Sequence, residues 1–129
     1  MKRIVLIDDD STTNYLNKMI IERSQLVDEV LTFDTGEAAL NYFKDKNGSE
    51  AGSLVLLDIN MPIMNGWEFL EKYTELVDNK PSGNKVVLLT SSIDPADKEQ
   101  AELNAQVAAL KSKPLSIDML NELVDSFFN

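Results

Sequence analysis

Ser53-Leu54-Val55-Leu56-Leu57, with Asp58 directly behind it, is an aliphatic run with no polar face. Such a run suits a central parallel strand covered by helices on both sides, where neither face meets water. Two more runs of the same kind lie on either side of it. Arg3-Ile4-Val5-Leu6-Ile7 reads as strand one and Lys85-Val86-Val87-Leu88-Leu89 as strand four. Residues 27–33 read as strand two, where Asp28 and Glu29 suit a sheet edge, and residues 107–110 as strand five.

Helical periodicity fills the intervals. Leu16, Met19 and Ile20 recur at helical spacing behind Ser11 and Thr12, which can cap a first helix, as can Asp10 at the end of the aspartate run. Thr35-Gly36-Glu37 opens a second helix, expected to bury Ala39, Leu40 and Phe43. Phe69, Leu70, Tyr73, Leu76 and Val77 give a third its stripe. Asp94 followed by Pro95 is an N-cap with proline at the first helical position. The fourth helix runs from there to about Asn104, with a thin apolar side of Ala101, Leu103 and Ala105. Ser116 opens a fifth, with Ile117, Leu120, Val124 and Phe127 inward. Asn47-Gly48-Ser49 and residues 79–84 read as loops. Trp67 and the pair Phe127-Phe128 read as core. Five strands alternating with five helices in 129 residues predict one α/β domain, a doubly wound parallel sheet covered on both faces, with no output domain.

Composition narrows the function. The chain has no cysteine and no histidine, which removes disulfides, thiolate and imidazole metal sites, and Ser-His-Asp chemistry. With 12 basic and 22 acidic residues the net charge is −10, and the basic residues are scattered. Direct nucleic-acid binding is not expected, because it needs a basic footprint. No apolar run approaches the ~20 residues of a membrane span, and the N-terminus does not fit a signal peptide, so a cytoplasmic protein without membrane insertion is expected.

In open parallel sheets, ligands bind beyond the carboxyl ends of the strands. Strand one ends in Asp8, Asp9 and Asp10, strand three in Asp58, strand four in Thr90, Ser91 and Ser92, and strand five leads to Lys113. If the strand order is 2-1-3-4-5, three or four carboxylates converge with a hydroxyl and an ammonium beside them. Clustered carboxylates repel one another unless a cation sits among them. Mg²⁺ fits, since it takes oxygen ligands and keeps several waters. A remaining carboxylate can act as a nucleophile towards phosphorus.

Leu6-Ile7-Asp8-Asp9-Asp10-Ser11, Leu56-Leu57-Asp58-Ile59-Asn60-Met61-Pro62-Ile63-Met64-Asn65-Gly66, Leu89-Thr90-Ser91 and Lys113-Pro114 together resemble the receiver domain of response regulators of two-component signalling. The resemblance covers essentially the whole chain. It implies a flavodoxin-like fold of strand order 2-1-3-4-5 with Asp58 as phospho-acceptor. It implies Mg²⁺ held by Asp8, Asp9, Asp58 and the backbone carbonyl of Asn60. Lys113 then contacts the phosphoryl group, and Thr90 moves to hydrogen-bond it after transfer. The Lys113-Pro114 bond is expected to be cis, and Gly66 to permit a tight turn into helix three. Asn60 and Ser92 stand at positions that tune dephosphorylation. Leu110 stands where the family often has an aromatic relay. The implied partners are a histidine kinase or histidine phosphotransfer protein, and a downstream target on the face of helix four, strand five and helix five. The domain catalyses only its own phosphorylation and dephosphorylation.

Two other readings use the same residues. Asp8-x-Asp10-x-Thr12 after an apolar strand also matches the first motif of haloacid-dehalogenase-type phosphatases, with Asp8 as nucleophile, Asp10 as acid/base and Thr90 or Ser91 and Lys113 as later motifs. That family needs an acidic pair after a further strand, and the reading leaves the Asp58 motif idle. A pseudo-receiver, a phosphorylation-independent interaction module, usually lacks one of the acidic, threonine or lysine positions, and all stand here.

Overall fold

The computed structural model describes residues 2–46, 52–76 and 83–128. Its elements in chain order are β1 (Arg3–Ile7), α1 (Ser11–Ser24), β2 (Glu29–Phe33), α2 (Gly36–Lys46), β3 (Ser53–Asp58), α3 (Gly66–Leu76), β4 (Lys85–Thr90), α4 (Pro95–Leu103), β5 (Val107–Ser112) and α5 (Ile117–Phe128). All strand pairs are parallel, in the order β2-β1-β3-β4-β5. The order reverses between β1 and β3, and this crevice is where a doubly wound sheet binds ligands.

Each face of the sheet carries its own core. Val5, Ile7, Val55, Leu57 and Leu88 point to the side covered by α2, α3 and α4, with Phe43, Phe69 and Tyr73. Ile4, Leu6, Leu54, Leu56 and Val87 point to the side of α1 and α5, with Ile21, Leu120 and Leu123. Alternation along the central strands thus feeds two cores, which is why β3 has no polar face.

Several expectations are corrected. Strand two begins at Glu29, not Val27: pairing with β1 starts at Arg3 opposite Glu29, and the Asp28 amide donates instead to the Lys2 carbonyl. Strands three, four and five run on to Asp58, Thr90 and Ser112. Of the cap candidates, Asp10 holds the position before α1, its carboxylate accepting from the Thr12 and Thr13 amides, and Ser11 and Thr12 lie inside the helix. The buried face of α1 is Asn14, Asn17 and Ile21, while Leu16 is 51% exposed. The Asn14 amide nitrogen donates to the carbonyls of Asp8 and Phe33, and those bonds set the rotation of the helix. In α3, Phe69, Leu70 and Tyr73 are buried and Leu76 lies at the exposed end. Ala101 is the one buried side chain of α4, and Leu103 is 81% exposed. Ala105 lies beyond the helix and is exposed. In α5, Leu123 joins Leu120 and Val124 inward, Phe127 is half-buried and Ile117 is exposed. Trp67 and Phe128 are also half-buried, packed at the margins of the two cores. Val77, the Asn47-Gly48-Ser49 loop and residues 79–82 lie outside the described residues.

Candidate functional site

The carboxyl ends of β1, β3 and β4 bring the predicted residues to one place. Asp8 directly follows β1, Asp58 ends β3 and Thr90 ends β4. Asp8 and Asp58 are buried and Asp9 is exposed, and their carboxylates offer oxygens within 4.8 Å of one another. Lys113 follows β5, its amide donating to the Thr90 carbonyl at 2.8 Å. Its Nζ donates to Asp8 Oδ2 at 2.7 Å and lies 3.3 Å from Asp58 Oδ1. The Lys113-Pro114 peptide is cis.

Local hydrogen bonds aim both acids. Asp8 Oδ1 accepts from the Asp10 amide at 2.9 Å, and Asp58 Oδ1 from the Asn60 amide at 3.3 Å. Burial, then the charge of Asp8, pushes the Asp58 carboxyl above its ordinary value, and the nearby Lys113 ammonium only partly offsets this. For Lys113, burial favours the neutral amine, but the hydrogen bond to Asp8 and the charges of Asp58 and Asp8 outweigh it and hold its pKa above the usual lysine range.

Gly66 is required by space rather than by backbone conformation. A Cβ there would stand 2.8 Å from the Asp58 carbonyl oxygen and 2.9 Å from Ile59 Cα. The Gly66 amide donates to the Ile59 carbonyl at 2.8 Å, so α3 starts pressed against the strand end that carries Asp58. Its φ is not positive, in contrast to that of Ile63, which is +68°.

Thr90 is completely buried. Its hydroxyl donates to the Ser92 carbonyl and accepts from the Ser92 amide, at 3.1 and 3.3 Å. Ser92 is exposed beside it, as is Asn60 next to Asp58. Leu110 is half-buried against the core and borders a groove of about 500 Å³ between α4 and β5, with Ile93, Lys98 and Ala101. The Asp10 carboxylate is taken up in capping α1, while its amide bonds Asp8.

Two features lack a local sequence signal. Asn14 reaches from α1 to bind the Asp8 carbonyl, and the Trp67 indole reaches Asp97 on α4. Only the three-dimensional packing shows either.

A parallel sheet with acids at its switch point, a threonine ending β4 and a lysine after β5 defines a phospho-accepting signalling domain. The profile of the response regulator receiver domain matches residues 4–125, and the chain belongs to that family. The chain is similar to the crystal structure of a two component response regulator from Cytophaga hutchinsonii, at 35% identity over 100% of this chain and 98% of that one, with a TM-score of 0.90. It is 27% identical over 127 residues to the two-component response regulator ORR41 of Oryza sativa subsp. japonica, covering 98% of this chain and 94% of that protein. It is also 29% identical over 126 residues to the aerobic respiration control sensor protein ArcB of Escherichia coli K12, covering 98% of this chain. The chain spans only 15% of the length of ArcB. Among the described residues no helix is long and apolar enough to cross a membrane.

Proposed function

We propose that Asp58 is the phospho-acceptor of this receiver domain, and that residues 1–129 work as one signalling unit in the cytoplasm. The carboxylate oxygen of Asp58 attacks phosphorus as the phosphorus–nitrogen bond to the histidine of a kinase or phosphotransfer protein breaks, and the imidazole leaves. No base is required, because the acceptor reacts as its carboxylate. Lys113, already reaching both Asp8 and Asp58, meets the charge on the transferred oxygens.

The residues fit Mg²⁺. Asp8, Asp9 and Asp58 supply hard oxygen donors from both sides of the switch point, and the Asn60 carbonyl is proposed to complete the protein's share. When bound, Mg²⁺ neutralises the carboxylates and the phosphoryl oxygens. Thr90 then exchanges Ser92 for a phosphoryl oxygen. Asn60 and Ser92, exposed beside the site, set access of the hydrolytic water and so the phosphoryl lifetime. A target protein reads the change on the face of α4, β5 and α5, with Leu110 shifting rotamer in place of an aromatic relay.

The observation that carries this reading is the convergence of three carboxylates from β1 and β3 within 4.8 Å, with Asp58 among them. Incubation with Mg²⁺ and acetyl phosphate is expected to place one phosphoryl group per chain on Asp58, and Asp58→Asn to accept none. A label on Asp8 instead would refute the assignment.

A further inference from the structure

Trp67 is the one tryptophan of the chain. Its indole N–H donates to Asp97 Oδ1 at 3.1 Å, joining the first turn of α3 to the first turn of α4. The donor end is fixed. Gly66 is pressed onto the backbone of Asp58 and Ile59, and Asn65 and Glu68 cap the helix reciprocally, each side chain bonding the other's amide.

The acceptor end is held by different means. α4 buries only Ala101, and the loop 91–94 ahead of it is exposed. That loop is anchored at its start by the Thr90 hydroxyl, which holds both the amide and the carbonyl of Ser92. At its end Asp94 caps α4 through the Asp97 amide at 2.8 Å, with the Lys98 amide bonding the Asp94 carbonyl. Residues 94–98 therefore move as a unit, and Asp97 moves with them.

We infer that the Trp67–Asp97 hydrogen bond is a latch that holds α4 in its resting position and opens when Thr90 leaves Ser92. This rests on the role proposed above for Thr90. Once the hydroxyl turns away, the loop loses its inner anchor while Trp67 stays with the Asp58 strand. From 3.1 Å, a displacement of about 1 Å takes the pair beyond hydrogen-bonding reach. A bond present only in the resting arrangement biases the equilibrium against the activated one, so its loss raises the apparent affinity for anything that binds the activated form.

The test uses the full chain with Mg²⁺ and beryllofluoride, following site occupancy by fluorine NMR and the latch by tryptophan emission. In the parent protein, emission is expected to change as the site fills. Asp97→Ala is expected to show the changed emission in Mg²⁺ alone and to bind beryllofluoride about fivefold more tightly, the equivalent of one ordinary hydrogen bond. Asp97→Asn keeps an acceptor oxygen and is expected to stay close to the parent in both readouts. A filled site without an emission change overturns the latch. So does unchanged affinity in Asp97→Ala, which is what a merely structural bond gives even when thermal stability falls. Equal behaviour of the Asn and Ala variants overturns it too, since the effect then belongs to the lost charge at the helix start. No bound fluorine signal at all overturns the Asp58 assignment itself, and the latch with it.

Discussion

The Lys113 ammonium sits closer to Asp8, at 2.7 Å, than to Asp58, at 3.3 Å. It is thus bonded to Asp8 and lies one short step from Asp58, the proposed phospho-acceptor. In this position it holds down the repulsion between two buried carboxylates while remaining within reach of the oxygens of a phosphoryl group arriving at Asp58.

Replacing Lys113 by Gln separates those contributions. The amide nitrogen can still donate a hydrogen bond, but the positive charge is gone. Labelling by acetyl phosphate in saturating Mg²⁺ is expected to slow by about 100-fold, the usual cost of removing a donor aimed at developing negative charge. A rate within a few-fold of the parent's would show that Lys113 serves only the resting electrostatics.

Asp58 carries a stability cost whose pH dependence has a definite sign. Burial, then Asp8, raises its pKa in the folded chain, so the native state binds the proton more tightly than the unfolded state does. The associated stability is complete below the unfolded value and is lost as pH rises through the folded value. At neutral pH the ionised Asp58 therefore destabilises the fold. In the absence of divalent cations, Asp58→Asn is expected to melt at a higher temperature than the parent at pH 7, and the difference to shrink as the pH is lowered into the acid range. Mg²⁺ is expected to raise the melting temperature of the parent more than that of Asp58→Asn, and chelation to reverse the gain. A difference that grows towards acid pH would contradict the sign.

At the far end of the sheet, Asn84 joins three elements. Its side-chain oxygen accepts from the Ser53 amide at the start of β3 at 2.9 Å, and its nitrogen donates to the Tyr73 hydroxyl of α3 at 3.1 Å. Asn84→Ala is expected to cost about 2 kcal/mol, because a buried amide loses its acceptor. Urea unfolding of Asn84→Ala, Tyr73→Phe and the double variant checks this. Additive losses would show that the two side chains do not act together.

Ile63 combines two unfavourable features beside the site. It is fully exposed, and its φ of +68° lies in the left-handed region, which β-branched residues rarely adopt. Asn tolerates that conformation through its short polar side chain, so Ile63→Asn is expected to stabilise the fold by about 1 kcal/mol. The midpoint of urea unfolding should rise with an unchanged slope. A lower midpoint would mean that the isoleucine makes a compensating contribution to the fold.

Most of the site was legible because a parallel sheet turns sequence order into spatial order. Asp8, Asp58, Thr90 and Lys113 each end or follow an aliphatic strand, so locating the strands located the residues. β3 was the clearest of these, since all its residues are buried and no amphipathic phase had to be chosen. Helix orientation was harder. Hydrophobic periodicity places Leu16 inward, but α1 turns Asn14 and Asn17 to the sheet because the Asn14 amide serves two backbone carbonyls. Such polar burial leaves no apolar trace. Leu103 misleads in the opposite way, as an apolar residue on a helix with one buried side chain. Trp67 reads as core from its ring, whereas its N–H finds a partner 30 residues further along the chain. The left-handed φ of Ile63 has no signature in its residue type at all.

Gly66 offers the most direct test of how tightly α3 is joined to the end of β3. The Cβ of Gly66→Ala would stand 2.8 Å from the Asp58 carbonyl oxygen and 2.9 Å from Ile59 Cα, both backbone atoms that cannot swing aside as a flexible side chain can. Either the start of α3 or the end of β3 must shift. Overpacking of this kind costs about 1–3 kcal/mol, and the strain falls on the segment that aims the Asp58 carboxylate. Gly66→Ala is therefore expected to lower stability by about 2 kcal/mol in urea unfolding. It is also expected to slow acetyl phosphate labelling, even under conditions where the variant is fully folded by circular dichroism. If stability falls while the labelling rate stays at the parental value, the shift is taken up by α3 alone. Asp58 is then positioned by β3 independently of the helix behind it.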